Sequence, residues 1–165
     1  MLSSDFIPTP DNIDGSEIVI RFLTRKEDFA SIDGTEYVAV HAFYPVLQEC
    51  EIPDKKVVCG LSVTRKINLS YDQILELGHD VIESKHKTAL AQNRTSKAQL
   101  RGWVEINVRD ILALGLTIEK DEPPQNHANI QRWPSPVPRS TKDQKELSVL
   151  QDKLLDKITA TLFLK

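Results

Sequence analysis

The stretch Arg101 to Trp133, RGWVEINVRDILALGLTIEKDEPPQNHANIQRW, constrains the fold more than any other part of the chain. Trp103 to Val108 alternates apolar and polar residues with the period of two expected of a half-buried strand. Arg109 to Leu114 then reads as a short helix. Asn107 is placed to cap its start, Asp110 to complete a capping box, and Gly115 to supply the left-handed stop. Leu116 to Glu119 resumes strand character, Pro123-Pro124 enforces a turn, and His127 to Ile130 forms a further short strand. A strand, a short helix and two more strands in so few residues require a sheet for the rest of the chain to join.

The rest supplies such partners. Glu17 to Leu23 and Val57 to Val63 concentrate branched and aromatic residues between turn signals, and Tyr37 to Phe43 does so after Asp33-Gly34. Ser70 is a natural cap for a helix from Tyr71 to Leu90, whose residues Tyr71, Ile74, Leu75, Gly78, Val81, Ile82 and Ala89 share one side. The chain has 165 residues, 40% of them hydrophobic, which suits one core. The expected class is therefore α+β. It has a single mixed, mostly antiparallel sheet, built from strands near Ile18, Val38, Val58, Val104, Leu116 and Ala128, with the long helix across one face. Residues 1–16 read as an irregular lead-in, 17–133 as the globular domain and 134–140 as a stiff linker carrying Pro134, Pro136 and Pro138. Residues 141–165 read as an amphipathic helix striped by Leu147, Leu150, Leu154, Ile158 and Leu162. Such a stripe, set behind a spacer, can fold back on its own domain, dock on a protein partner or self-associate.

A net charge of -3 and a pI near 5.8 argue against a protein that coats nucleic acid. Lys85, Lys87, Arg94, Lys97 and Arg101 form a locally basic region, but no aromatic residues are interleaved there for base stacking. No apolar run approaches the roughly 20 residues of a membrane span, and the N-terminus lacks signal-peptide order, so the expectation is a soluble cytoplasmic protein. Cys50 and Cys59 read as small core residues rather than a bridge or metal pair.

Phosphate loops, nucleophile elbows, zinc-protease pairs and paired-cysteine knuckles are absent from the sequence, and no cofactor is expected. Arg21 interrupts an apolar strand, where a guanidinium serves either as an edge charge or as a clamp for phosphate or carboxylate. His41 lies in an apolar run and reads as a hydrogen-bonded core residue. His79, Glu83 and His86 share one helical face at metal-ligand spacing, but that face points to solvent and no fourth ligand accompanies it, so no metal is expected there. Arg21, Glu105 and His127 remain as candidate catalytic residues if they converge.

The order Ala42-Phe43 and Pro45, Leu61-Ser62-Val63, a helix, Gly102 to Val108, Leu114-Gly115-Leu116, Asp121 and His127 to Ile130 resembles a family of small bacterial proteins of no established function. The resemblance spans Arg21 to Ile130. It implies a compact domain and supplies no catalytic residues. An early arginine, a central Ser62 and the later Glu105 are also similar in order to compact ADP-ribosyltransferase-like folds. That resemblance implies that Arg21 holds a dinucleotide and Glu105 orients a ribose hydroxyl. The leading expectation is a small non-catalytic subunit or adaptor of a bacterial multi-protein system, anti-phage defence being one setting, that binds a protein partner through its C-terminal helix; the alternative is a nucleotide-processing enzyme using Arg21, Glu105 and His127.

Overall fold

A computed structural model describes residues 13–43, 46–48, 58–122, 125–133 and 141–164. In chain order, β1 is Ile18–Leu23, β2 Phe29–Ile32, β3 Thr35–Val38, β4 Val46–Gln48 and β5 Val58–Arg65. They are followed by α1 (Tyr71–Ala91), β6 (Gly102–Asn107), α2 (Val108–Ala113), β7 (Thr117–Lys120), β8 (His127–Gln131), α3 (Thr141–Asp156) and β9 (Ile158–Phe163). The main sheet runs β7-β8-β5-β1-β6-β9, with β4 on the first residues of β5. All its pairings among the described residues are antiparallel. The α+β class with a mostly antiparallel sheet and a long helix is thus the observed one.

Strand alternation divides the core in two. Ile20, Phe22 and Trp103 point to the face covered by α1, where Ile74, Leu75 and Val81 meet them. Val19, Leu23, Val104, Ile106, Leu61 and Ile130 point to the other face. There α2 contributes Val108 and Ile111, and α3 contributes Leu147, Leu150 and Leu154. No helix among the described residues is long and apolar enough to cross a membrane.

Most local signals act as expected. Ser70 Oγ accepts from Gln73 N, and Gln73 Oε1 accepts from Ser70 N, forming a capping box at the start of α1. Ser70→Ala should therefore lower the unfolding free energy by about 1 kcal/mol, read from the urea midpoint. Asp33 and Gly34 both take positive φ, which twists the chain into the β2–β3 hairpin.

Three expectations change. The run Tyr37 to Phe43 is not one strand: β3 ends at Val38, and Val40–Phe43 coils into a 3-10 turn. That turn buries Ala42 and Phe43, and Phe43 O accepts from Gln151 Nε2 of α3. The Asn107 side chain makes no capping bond, because the first amides of α2 are already satisfied. Val108 N donates to Glu17 O and Arg109 N to Gly15 O, so backbone just ahead of β1 does the capping.

The third change is the chain end. The helix expected over 141–165 stops at Asp156, and Ile158–Phe163 forms β9 on β6. Ile158, Thr159 and Thr161 are stiff at χ1 and favour a strand, and the free edge of β6 offers them a ladder. A bulge opposite Glu105 and Ile106 places Ala160 against Glu105 and Ile158 against Ile106. Ile158 consequently joins the α3-side core while Leu162 packs beneath α1. The residues 134–140 read as a linker, the Pro123-Pro124 turn and Cys50 lie outside the described residues.

Candidate functional site

The sheet register decides whether Arg21, Glu105 and His127 can act together. Arg21 stands opposite Val104, and Ile20 opposite Glu105. Arg21 thus leaves β1 on the α3 side, whereas Glu105 points to the α1 side. His127 lies opposite Thr64, and Thr64 opposite Ile20, so His127 shares a face and a row with Glu105. Three strand spacings part them, roughly 14 Å in all. The three residues do not form one pocket.

Each has a structural occupation. β1 pairs with β5 only at Val19↔Arg65 and Ile20↔Thr64. Beyond that point Arg21 bridges the strands, donating from Nε to Ala42 O and from Nη1 to Ser62 O, both at 2.9 Å. Burial pushes its guanidinium down to about 10, against the pull of Asp28, so it stays charged at neutral pH. Glu105 accepts from Lys66 Nζ at 2.5 Å. His127 Nδ1 lies 2.9 Å from Asp121 O and 3.3 Å from Asp121 Oδ2. Asn129 Nδ2 also donates to Asp121 Oδ2, and Ser62 Oγ lies 3.5 Å from Asn129 Oδ1. That last distance is too long for an activated nucleophile, and Ser62 itself is exposed.

His41 and His86 are engaged as well, whereas His79 is exposed on α1. His41 Nδ1 lies 3.1 Å from Oδ1 of buried Asp28. His86 Nε2 is 3.0 Å from Ala98 O, and Glu83 pairs with Lys87. Among the described residues no group of three or more His, Cys, Asp or Glu is placed to hold a metal ion.

The stripe on the C-terminal segment is turned inward. Leu154 is 0% exposed, and Leu147 and Leu150 are buried with it against the α3-side core. Ile158 and Leu162 are half-buried in β9. The surface that α3 offers instead is its flank. There Leu114, Leu116, Val149 and Leu150 line a groove of about 450 Å³ between α3 and the turn from α2 to β7. Val149 is 50% exposed. Arg132, Lys145 and Lys153 stand at the groove with one acidic neighbour, Glu146. Arg132 is held in the left-handed region at φ 66°, between the end of β8 and Trp133, whose Nε1 donates to Ile130 O.

Sequence reasoning passed over this groove because its walls come from segments far apart in the chain. The available signal was Val149, an apolar residue off the buried stripe of an otherwise amphipathic helix. No protein-family model matches the chain, and neither the curated proteins nor the solved structures compared with it hold a match.

Proposed function

We propose that the chain is a non-catalytic, protein-binding subunit whose partner docks on the outer flank of α3. The observation that supports this reading is the groove itself: an apolar floor of Leu114, Leu116 and half-exposed Val149, edged by Arg132, Lys145 and Lys153. Apolar side chains left open to solvent and rimmed by polar groups favour a macromolecular contact. Three cations against Glu146 select a partner segment that carries acidic residues beside an apolar face. The separation of Arg21, Glu105 and His127 also takes away the geometry that the nucleotide-processing alternative requires.

The test uses the full chain as bait in an extract of its source organism, beside Val149→Asp and the charge reversal Lys145→Glu with Lys153→Glu. Each variant should lose the same captured protein while keeping the wild-type melting temperature, because all three positions are exposed. Retention of that protein by both variants would overturn the reading. So would capture of nothing by the wild type.

A further inference from the structure

The two ends of the main sheet are guarded unequally. β7, at one end, is the short strand Thr117–Lys120, and it carries Glu119 and Lys120. Short length and charged side chains are ordinary means by which an edge strand is kept from pairing with another chain. β9, at the other end, has six residues, ITATLF, with neither a charge nor a proline among them. The bulge that interrupts its ladder is confined to its first residues, and Ala160 to Phe163 keep regular register with β6.

The ladder fixes which backbone groups of β9 face outward. Leu164 N donates to Arg101 O, so by alternation Leu162 and Ala160 also turn their N–H and C=O groups toward β6. Thr161 and Phe163 turn theirs away. No described element other than β6 pairs with β9, so these donors and acceptors line an open edge.

The side chains along that edge are uncharged on both faces. Thr161 lies opposite Val104 and Phe163 opposite Gly102, which puts both on the α3 side with Val104. Phe163 touches Phe29, their ring centroids 5.8 Å apart, and is still 45% exposed. Thr159 and Thr161 are exposed too. On the α1 side Leu162 is only half-buried, beside exposed Ala160.

We infer that β9 is a dimerisation edge, to which β9 of a second copy of this chain adds antiparallel about a two-fold axis at Thr161. In that register the strand is its own complement. Thr161 meets Thr161 of the second copy and exchanges N–H and C=O bonds with it, Phe163 meets Thr159, and Leu162 meets Ala160. These are aromatic against β-branched and large apolar against small, with no like charges opposed within the strand. A contact that one patch makes with itself requires such self-complementarity. An uncharged edge, by contrast, offers nothing to select a charged foreign strand. The groove beside the turn from α2 to β7 lies toward the opposite end of the sheet. Pairing through β9 leaves it open, so this inference does not depend on the protein-binding reading.

Sedimentation velocity of the full chain over a concentration series measures the association. Wild type should form a dimer at micromolar concentration. Thr161→Lys and Thr161→Glu, each alone, should be monomeric, the like charges raising the dissociation constant at least about a hundredfold. Both should keep the wild-type far-UV spectrum, because the position is exposed. An equal mixture of the two should dimerise again, since opposite charges then meet across the axis. Only a contact that sets this residue against itself gives that rescue. Val149→Asp should dimerise like wild type, which separates this edge from the groove. The inference is overturned by a wild type that stays monomeric throughout the series, by dimers that survive both charged variants, or by a mixture that is not rescued. Dissociation by Val149→Asp would overturn it as well, and so would loss of the folded spectrum in both charged variants, because the edge would then not be open.

Discussion

Leu154→Asp is expected to leave little folded protein at 25 °C. Leu154 is fully buried among the residues that α3 presents to the sheet. Truncating a core leucine costs about 2–5 kcal/mol, and an unpaired carboxylate in its place adds several more. A domain of this size holds about 5–15 kcal/mol in all. Leu154→Ala should fold with a melting temperature lowered by roughly 5–15 °C, at about 2–4 °C per kcal/mol. Val149→Asp, on the same helix but 50% exposed, should melt within a degree or two of wild type. Circular dichroism melts of the three variants check the contrast. Equal stability of Leu154→Asp and wild type would mean that the stripe does not close this core.

The stripe shows how far the sequence could be read. Leu147, Leu150 and Leu154 were legible as one apolar face of a helix, since their spacing of three and four is a local property. Whether that face closes the parent domain or a partner's surface is not local. It depends on an unfilled space against Leu61, Ile106 and Ile130, created by strands remote in sequence. Ile158 and Leu162 continue the same spacing by coincidence, and only the open edge of β6 converts their segment from helix to strand. The β1, β5, β6 and β8 segments were legible because alternation and branched residues agree there with tertiary pairing. At Tyr37 to Phe43 composition alone suggested a strand, but burying Ala42 and Phe43 under α3 required a turn.

Site residues were legible as residue types and not as a site. Arg21 stood out because a cation interrupted an apolar run, and the structure gives that cation a task in bridging β1 and β5. Its separation from Glu105 follows from a one-residue offset in the β1–β6 register. One residue of slip exchanges the faces of a strand, and no sequence pattern here fixes that offset in advance. The half-buried setting of Lys85 was hidden for the opposite reason. Counted as part of a basic stretch, it looked solvated, whereas helical phase places it on the sheet side with Val81 and Ala89.

Gly102→Ala should be the most damaging single methyl that can be added to this chain at a described glycine. A Cβ at Gly102 would lie 2.1 Å from Leu162 O, a backbone atom of β9 that cannot rotate away. Its φ of 152° adds strain for any L side chain, of the order of 1–3 kcal/mol. Relief requires either β6 to change course or the end of β9 to lift, and the second also breaks the bond from Leu164 N to Arg101 O. Lifting β9 exposes Leu162, which packs with Trp103 beneath α1. Strain and lost pairing together should cost at least about 3 kcal/mol, lowering the melting temperature by roughly 10 °C. Native-state hydrogen exchange should show the loss concentrated at Thr161 to Leu164, with the β5–β8 pairing still protected. Gly115→Ala provides the comparison, because Gly115 also has positive φ, at 85°, but a Cβ there meets nothing within 4 Å. It should cost only about 1 kcal/mol. Equal losses for the two variants would show that dihedral strain alone sets the cost and that the approach of β9 to β6 at Gly102 contributes nothing.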